Sequence, residues 1–311
     1  MSWQDTLLSL ADASAPLRAS HLVRLANLSP PLQEELARLW PRIEARRRRQ
    51  IVASLVELAE DNADLSFEAV FRIALADEDA DTRVEAVRGL WESEDRGLIP
   101  VFLGLLREDR EPRVRAEAAL ALGRFVLQFE LGHLREKHFL PVEEALRQVI
   151  EDRREEPQVR ARALEAMGAC TSRPWVRDAI RAAYESDQYR LRIAAIHAMG
   201  RSGEDRWLPL LLRELASDDP EARYEAALAC GSIADPQAVP HLAPLLHDDD
   251  QQVRQAAISA LGQIGGQQAK ELLLSLQDDP SPAIQDAVAD ALAEVEFAES
   301  PLSLRLFLDE R

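Results

Sequence analysis

Small apolar residues recur along this chain at the spacing of one helix face, and the same face returns every 31 residues. Residues 248–262, DDDQQVRQAAISALG, set Val253, Ala257, Ile258 and Leu261 at helical intervals behind a run of acids. Apolar positions three and four apart predict an amphipathic helix. Residues 217–231 (SDDPEARYEAALACG) and 186–200 (SDQYRLRIAAIHAMG) repeat the line, and 279–293 (DPSPAIQDAVADALA) is a fainter copy.

Aligned on the arginine of each copy, the slot holds Arg83, Arg115, Arg160, Arg192, Arg223 and Arg254, then Gln285. The spacings are 32, 45, 32, 31, 31 and 31. A constant period of this length predicts a solenoid of helical hairpins, each too small to hide its own apolar face. Arg18 and Arg48 hold the slot in two weaker copies nearer the start.

Each period predicts two helices. The first opens on an acid, often followed by proline, as in Asp219-Pro220, Asp279-Pro280, Glu111-Pro112 and Glu156-Pro157. Acids suit the free N–H groups of a helix start, and proline lacks the N–H that would go unused there. Glycines at 123, 168, 200, 231 and 262 follow the small-residue face. A glycine within a helix costs roughly 1 kcal/mol against alanine, so its recurrence predicts close helix crossings or helix ends. The second helix is expected to begin 17 residues after the slot, at Pro100, Pro209 and Pro240, with Glu271 in that place later on. Pro244 should kink or delay its helix. The 45-residue interval carries 14 extra residues, mainly in FVLQFELGHLREKHF near 124–140.

An acid cap, then VRxxAxxALG, then a proline-led leucine-rich helix resembles the HEAT repeat, in the short bacterial form similar to phycobilisome-lyase-type repeats. The likeness is strong over residues 77–308 and weaker over 1–76. It implies an all-α fold, a right-handed superhelix of about nine stacked hairpins, with second helices lining the concave side. It also implies a ladder of Arg83, Arg115, Arg160, Arg192, Arg223 and Arg254 with acids at the repeat turns. Acids do stand four or five residues before these arginines, among them Glu78, Asp79, Glu111, Glu155, Asp187, Asp219 and Asp250. Gln285 ends the ladder as a last repeat without a next neighbour would. The expected layout is one solenoid over 1–311. Residues 1–76 form degenerate first repeats, 77–293 the regular ones, and 294–311 a capping helix begun at Ser300-Pro301.

Composition narrows the function. Apolar residues are 47% and aromatics only 5%, the mix of closely packed helices. The formal net charge is −18, from 37 Lys and Arg against 55 Asp and Glu. That field repels phosphate backbones and anionic lipid, which argues against nucleic acid or a membrane surface and favours a basic partner. No stretch reaches the ~20 apolar residues needed to span a bilayer, and the start lacks the pattern of a secretory signal. A cytoplasmic protein of bacterial type is expected. Cys170 and Cys230 do not make a disulfide framework, and Cys230 stands where sister copies have Leu122, Met199 and Leu261.

Candidate chemistry is sparse. The six histidines are His21, His133, His138, His197, His241 and His247, with no metal-ligand spacing among them. The di-iron deoxyhypusine hydroxylases, a branch with similar repeats, carry His-Glu dipeptides, and here no histidine precedes a glutamate. Phosphate-binding and nucleophile-elbow motifs are absent. The run RRRR at 46–49 points in four directions on a helix and reads as a solvated face. Outward offsets on the second helices give Trp175, Asp178, Arg213, His241 and Ser275, with His247 a turn beyond. Such a strip suits peptide recognition, since Trp and Arg dominate binding hot spots.

The expectation is therefore a non-catalytic scaffold for a protein or peptide, with no cofactor and no metal. The alternative is an enzyme or subunit resembling the bilin lyases, which hold a tetrapyrrole chromophore.

Overall fold

The computed structural model describes residues 2–62 and 64–299. Every regular element among them is helical. The chain divides into two compact units, residues 1–166 and 167–311.

The first unit opens with α1 (Trp3–Ala11), α2 (Ala19–Leu22) and α3 (Pro30–Leu39). It continues through α4 (Ala45–Asp61), α5 (Glu68–Ala74), α6 (Ala80–Arg88), α7 (Leu98–Glu108), α8 (Pro112–Glu130), α9 (Glu136–Glu151) and α10, which begins at Pro157 and ends at Met167. The helices that carry the slot pack in series, α4 on α6 and α6 on α8. Their partners α5 and α7 lie against α6 and α8. On α8 the buried face is Val114, Ala118, Ala119, Leu122, Phe125 and Val126. The extra residues of the long period lengthen α8 to 19 residues and α9 to 16. Phe129 stacks on Phe139 across the two, with ring centroids 3.9 Å apart. Pro141 lies inside α9 instead of opening it.

The second unit holds α11 (Pro174–Tyr184), α12 (Tyr189–Ser202), α13 (Leu208–Glu214), α14 (Pro220–Ile233), α15 (Val239–Leu242), α16 (Gln251–Ile264), α17 (Gly266–Leu274) and α18 (Pro282–Glu299). Here α12, α14, α16 and α18 pack one on the next. Asp219 and Asp250 cap α14 and α16 by accepting first-turn N–H groups, from Glu221 at 3.1 Å and Gln252 at 2.8 Å. Pro244 ends α15 early, and a 3-10 turn over Ala243–His247 replaces the rest of that helix.

Several expectations need correction. The second helices start before their prolines, at Leu98, Leu208 and Val239, because proline is equally at home one or two places into the first turn. Helix α17 begins at Gly266, five residues ahead of Glu271. Helix α18 runs unbroken through position 294, with Val295 buried, so the boundary drawn at 293/294 falls within a helix. The proposed cap start at Ser300-Pro301 lies outside the described residues. Arg18, the slot residue of the first weak copy, is exposed just ahead of α2.

Candidate functional site

The slot arginines organise the turns between repeats. Arg48 is buried and donates to both carboxylate oxygens of Asp77 at 2.6 and 2.9 Å. Arg83 does the same to Asp109 at 2.8 and 2.9 Å. Arg115 reaches Glu155 at 3.0 and 2.7 Å, and Arg223 reaches Asp248 at 2.7 and 2.8 Å. The planar guanidinium fork matches a carboxylate in this two-bond form, which is why arginine and not lysine suits the slot. Burial raises the Asp109 carboxyl, yet Arg83 and the Glu111 N–H outweigh it and leave it lowered. Arg223 likewise holds Asp248 below the usual carboxylate range.

Except for Glu155, the partner acids are not those that the sequence brought forward. Each of Asp77, Asp109 and Asp248 sits six residues before a slot arginine, and its carbonyl accepts from that arginine at 2.7, 2.8 and 2.6 Å. Its carboxylate meanwhile accepts the N–H two residues on, at 2.8 to 2.9 Å. One acid therefore closes the previous repeat and shapes the turn into its own. Gln285 keeps the carbonyl half of this scheme, donating to the Asp279 carbonyl at 2.8 Å.

The basic run at 46–49 also departs from expectation. Arg47 is buried and donates to the carbonyls of Leu10 and Ser9, both at 3.2 Å. Arg49 pairs with Asp79 and Asp81. Only Arg46 of the four faces solvent without such ties. Buried guanidinium groups need several acceptors each, and the run supplies the opening repeats with them.

Two rungs of the expected ladder, Arg192 and Arg254, show no carboxylate hydrogen bond or ion pair among the described residues. Arg160 donates to the Ile150 carbonyl at 3.1 and 3.0 Å. Arg254 is half-buried and bonds the Asp248 carbonyl, and among the described residues it makes no ion pair with a carboxylate. Arg192 is exposed, and among the described residues its side chain has neither a hydrogen bond nor an ion pair.

Arg192 lines a cleft of about 460 Å³ in the second unit. Its walls come from the end of α11, from α12, and from the end of α13 through Ser217 and Asp219 into α14. At one edge Arg213 lies over the Tyr184 ring, 5.4 Å from its centroid, and donates to the Tyr184 hydroxyl, which donates to Glu214. Burial and the Glu214 carboxylate push the Tyr184 phenol up, against the pull of Arg213.

All six residues of the outward strip lie in this second unit, exposed Ser275 just past the end of α17 among them. Trp175 is half-buried at the start of α11, with exposed Asp178 one turn on. Arg213 is exposed on α13 and belongs to the cleft; His241 is exposed on α15 and His247 on the turn after it. Asp178, Arg213, His241 and His247 make no hydrogen bond or ion pair with one another. The sequence reading missed Tyr184 and Glu214, which lie at helix ends, outside the two offsets used. It also passed over a usable signal: Ser186 and Ser217 stand where the paired repeats have an acid. Among the described residues no cluster of three His, Cys, Asp or Glu side chains is placed to hold a metal ion. No described helix is long and apolar enough to cross a membrane.

The HEAT-repeat family model matches residues 67–136, 143–219 and 208–293. The chain belongs to the HEAT-repeat family. Its fold is an all-α solenoid of HEAT hairpins. Among solved structures, the complex of CpcE and CpcF of phycocyanin lyase from Nostoc sp. PCC7120 is similar with a TM-score of 0.55 at 18% identity, over 92% of this chain and 97% of that one. The karyopherin Kap121p, bound to the extreme C-terminus of the protein phosphatase Cdc14p, gives 0.50 at 15% identity, over 96% of this HEAT chain and 39% of the karyopherin. Human deoxyhypusine hydroxylase gives 0.37 at 20% identity, over 95% and 96%. No curated protein sequence matches the chain.

Proposed function

We propose that this HEAT-repeat chain is a non-catalytic scaffold or adaptor that binds a protein or peptide, and that the cleft beside Arg213 is a point of contact. The observation that carries the reading is Arg213 laid over Tyr184 at the edge of a 460 Å³ cleft. Arginine and tyrosine are the residue types that dominate binding hot spots when a partner covers them. Two similar solved structures, a karyopherin bound to a protein segment and CpcE joined to CpcF, support the reading, since both hold a polypeptide partner. The net charge of −18 favours a basic partner and makes its capture weaken as salt rises.

The test is capture by the tagged full chain and by R213A and W175A, with the melting temperature of each checked first. Loss of about thirtyfold in partner affinity on R213A, the size of a hot-spot truncation, is the expected result. Capture indifferent to both substitutions and to salt would remove the site. A covalent coloured product from a bilin and an apo-phycobiliprotein would make the chain a lyase instead.

A further inference from the structure

Four slot guanidinium groups are closed by a carboxylate of their own chain, and Arg223 finds its carboxylate 25 residues on, at Asp248. The residue 25 after Arg192 is Ser217. Its hydroxyl still accepts the Asp219 N–H at 3.3 Å, as a ladder acid accepts the N–H two residues on. Its carbonyl still accepts from Arg223 at 2.8 Å. The turn survives and the negative charge is gone. Arg254 also makes no ion pair among the described residues, but it is half-buried and bonds a carbonyl. Of the six ladder arginines Arg192 alone is exposed, and among the described residues its side chain has no partner and is set in a cleft.

The carboxylates around that cleft divide into two groups. Glu214 is engaged by Tyr184 and Arg213, and Asp219 caps α14. Glu185 and Asp187 are exposed, and their side chains are unengaged among the described residues. A ligand that offered only negative charge would be repelled by them, and a ligand that offered only positive charge would leave Arg192 unmatched.

We propose that the Arg192 rung is a binding site for a ligand carboxylate, the Asp or Glu side chain of a partner peptide whose flanking Lys or Arg residues meet Glu185 and Asp187. The incoming carboxylate takes the place that Asp248 takes at Arg223, accepting two parallel N–H bonds. Ser217 leaves the room for it. The site discriminates a lone acid between bases from the same peptide with an amide, because the amide presents one acceptor and no charge to the fork.

This names the group that anchors a partner and rests on the partner-binding reading only for its use, since its test needs no natural partner. The full chain is titrated at low ionic strength with acetyl-Lys-Glu-Lys-amide and with acetyl-Lys-Gln-Lys-amide, and the Arg192 side-chain N–H resonance is followed. The expected result is a preference of about fivefold for the glutamate peptide, the scale of an exposed ion pair, with a shift of the Arg192 signal. R192Q, at an exposed position, should fold normally and bind the two peptides equally. S217D should supply the missing acid from within the chain and end the preference without lowering the melting temperature. Equal binding of both peptides to the unaltered chain, or a preference that survives R192Q, overturns the proposal. An unaltered chain that prefers the glutamate peptide yet captures no protein sinks the scaffold reading and leaves this site standing.

Discussion

A β-carbon on Gly200 would lie 2.6 Å from the Cα of Ala229, so α12 and α14 touch backbone to backbone at that point. The same crossing recurs at Gly231 and Ala260 and at Gly262 and Ala291, each at 2.9 Å. Close approach is what makes the small-residue face useful: neighbouring repeats bury each other's surface with almost no gap.

Alanine normally stabilises a helix by roughly 1 kcal/mol over glycine. At Gly200 the clash is with backbone, which cannot swing aside, and overpacking costs about 1–3 kcal/mol or more. G200A should therefore lower stability by about 1 kcal/mol or more despite its better propensity. Gly104 on α7 has nothing within 4 Å of such a carbon, so G104A should raise stability by up to about 1 kcal/mol. Urea denaturation followed by circular dichroism gives both values, and a stabilised G200A would refute the close-crossing account.

Asp77 is a buried acid at the centre of four hydrogen bonds. Its buried carboxylate accepts two bonds from Arg48, one from the Trp40 indole at 2.7 Å and one from the Asp79 N–H at 2.8 Å. Removing one member of a buried pair costs about 3–5 kcal/mol because the other charge is left unmatched. D77A should fall in that range, measured by urea midpoint. E34A, which breaks the exposed Arg38–Glu34 pair, should change stability by about 0–1 kcal/mol. Similar losses in the two variants would show that burial of the Arg48 rung contributes little.

Acid should unfold the chain through its paired carboxyls. Arg49 brings Asp79 down to about 2 from a usual 3.8, and Asp248 is lowered by Arg223. A carboxyl that titrates lower when folded contributes stability above its unfolded value, and the contribution fades as pH falls through the lower folded one. The loss belongs between about pH 4 and pH 2. D79N and D248N should each flatten the dependence of the urea midpoint on pH in that window. A slope unchanged in both would rule out these pairs as its source.

The two thiols should be inert in the folded chain. Cys170 and Cys230 are buried, and burial pushes the Cys230 thiol up to about 12. Nucleophilic reaction requires thiolate and access. A disulfide exchange reagent at pH 8 should therefore label neither cysteine until denaturant is added; prompt reaction of Cys230 in the native chain would contradict its burial.

The period, the slot and the glycines stand in the one-dimensional sequence because a solenoid builds its core between neighbours, so each repeat states its needs within about 31 residues. Asp219 and Asp250 as caps, Pro244 as an interruption and the apolar faces of α12, α14 and α16 are local matters of this kind. Which acid meets which arginine is not local. Asp77, Asp109 and Asp248 lie 25 to 29 residues from their arginines, while Asp219 and Asp250, four residues before their slots in sequence, are capping residues. The burial of Arg47 and Arg48 could not be read from a run of four arginines either, since side-chain direction depends on where α1 and α6 pack against α4. The order of residues determined that this chain repeats, where its helices form and which faces they bury, because helical spacing and capping act over a few residues. Only the folded structure decided which charges are matched and that Arg192 is left open in a cleft, because a salt bridge needs two groups within a few ångströms and stacking alone sets that distance.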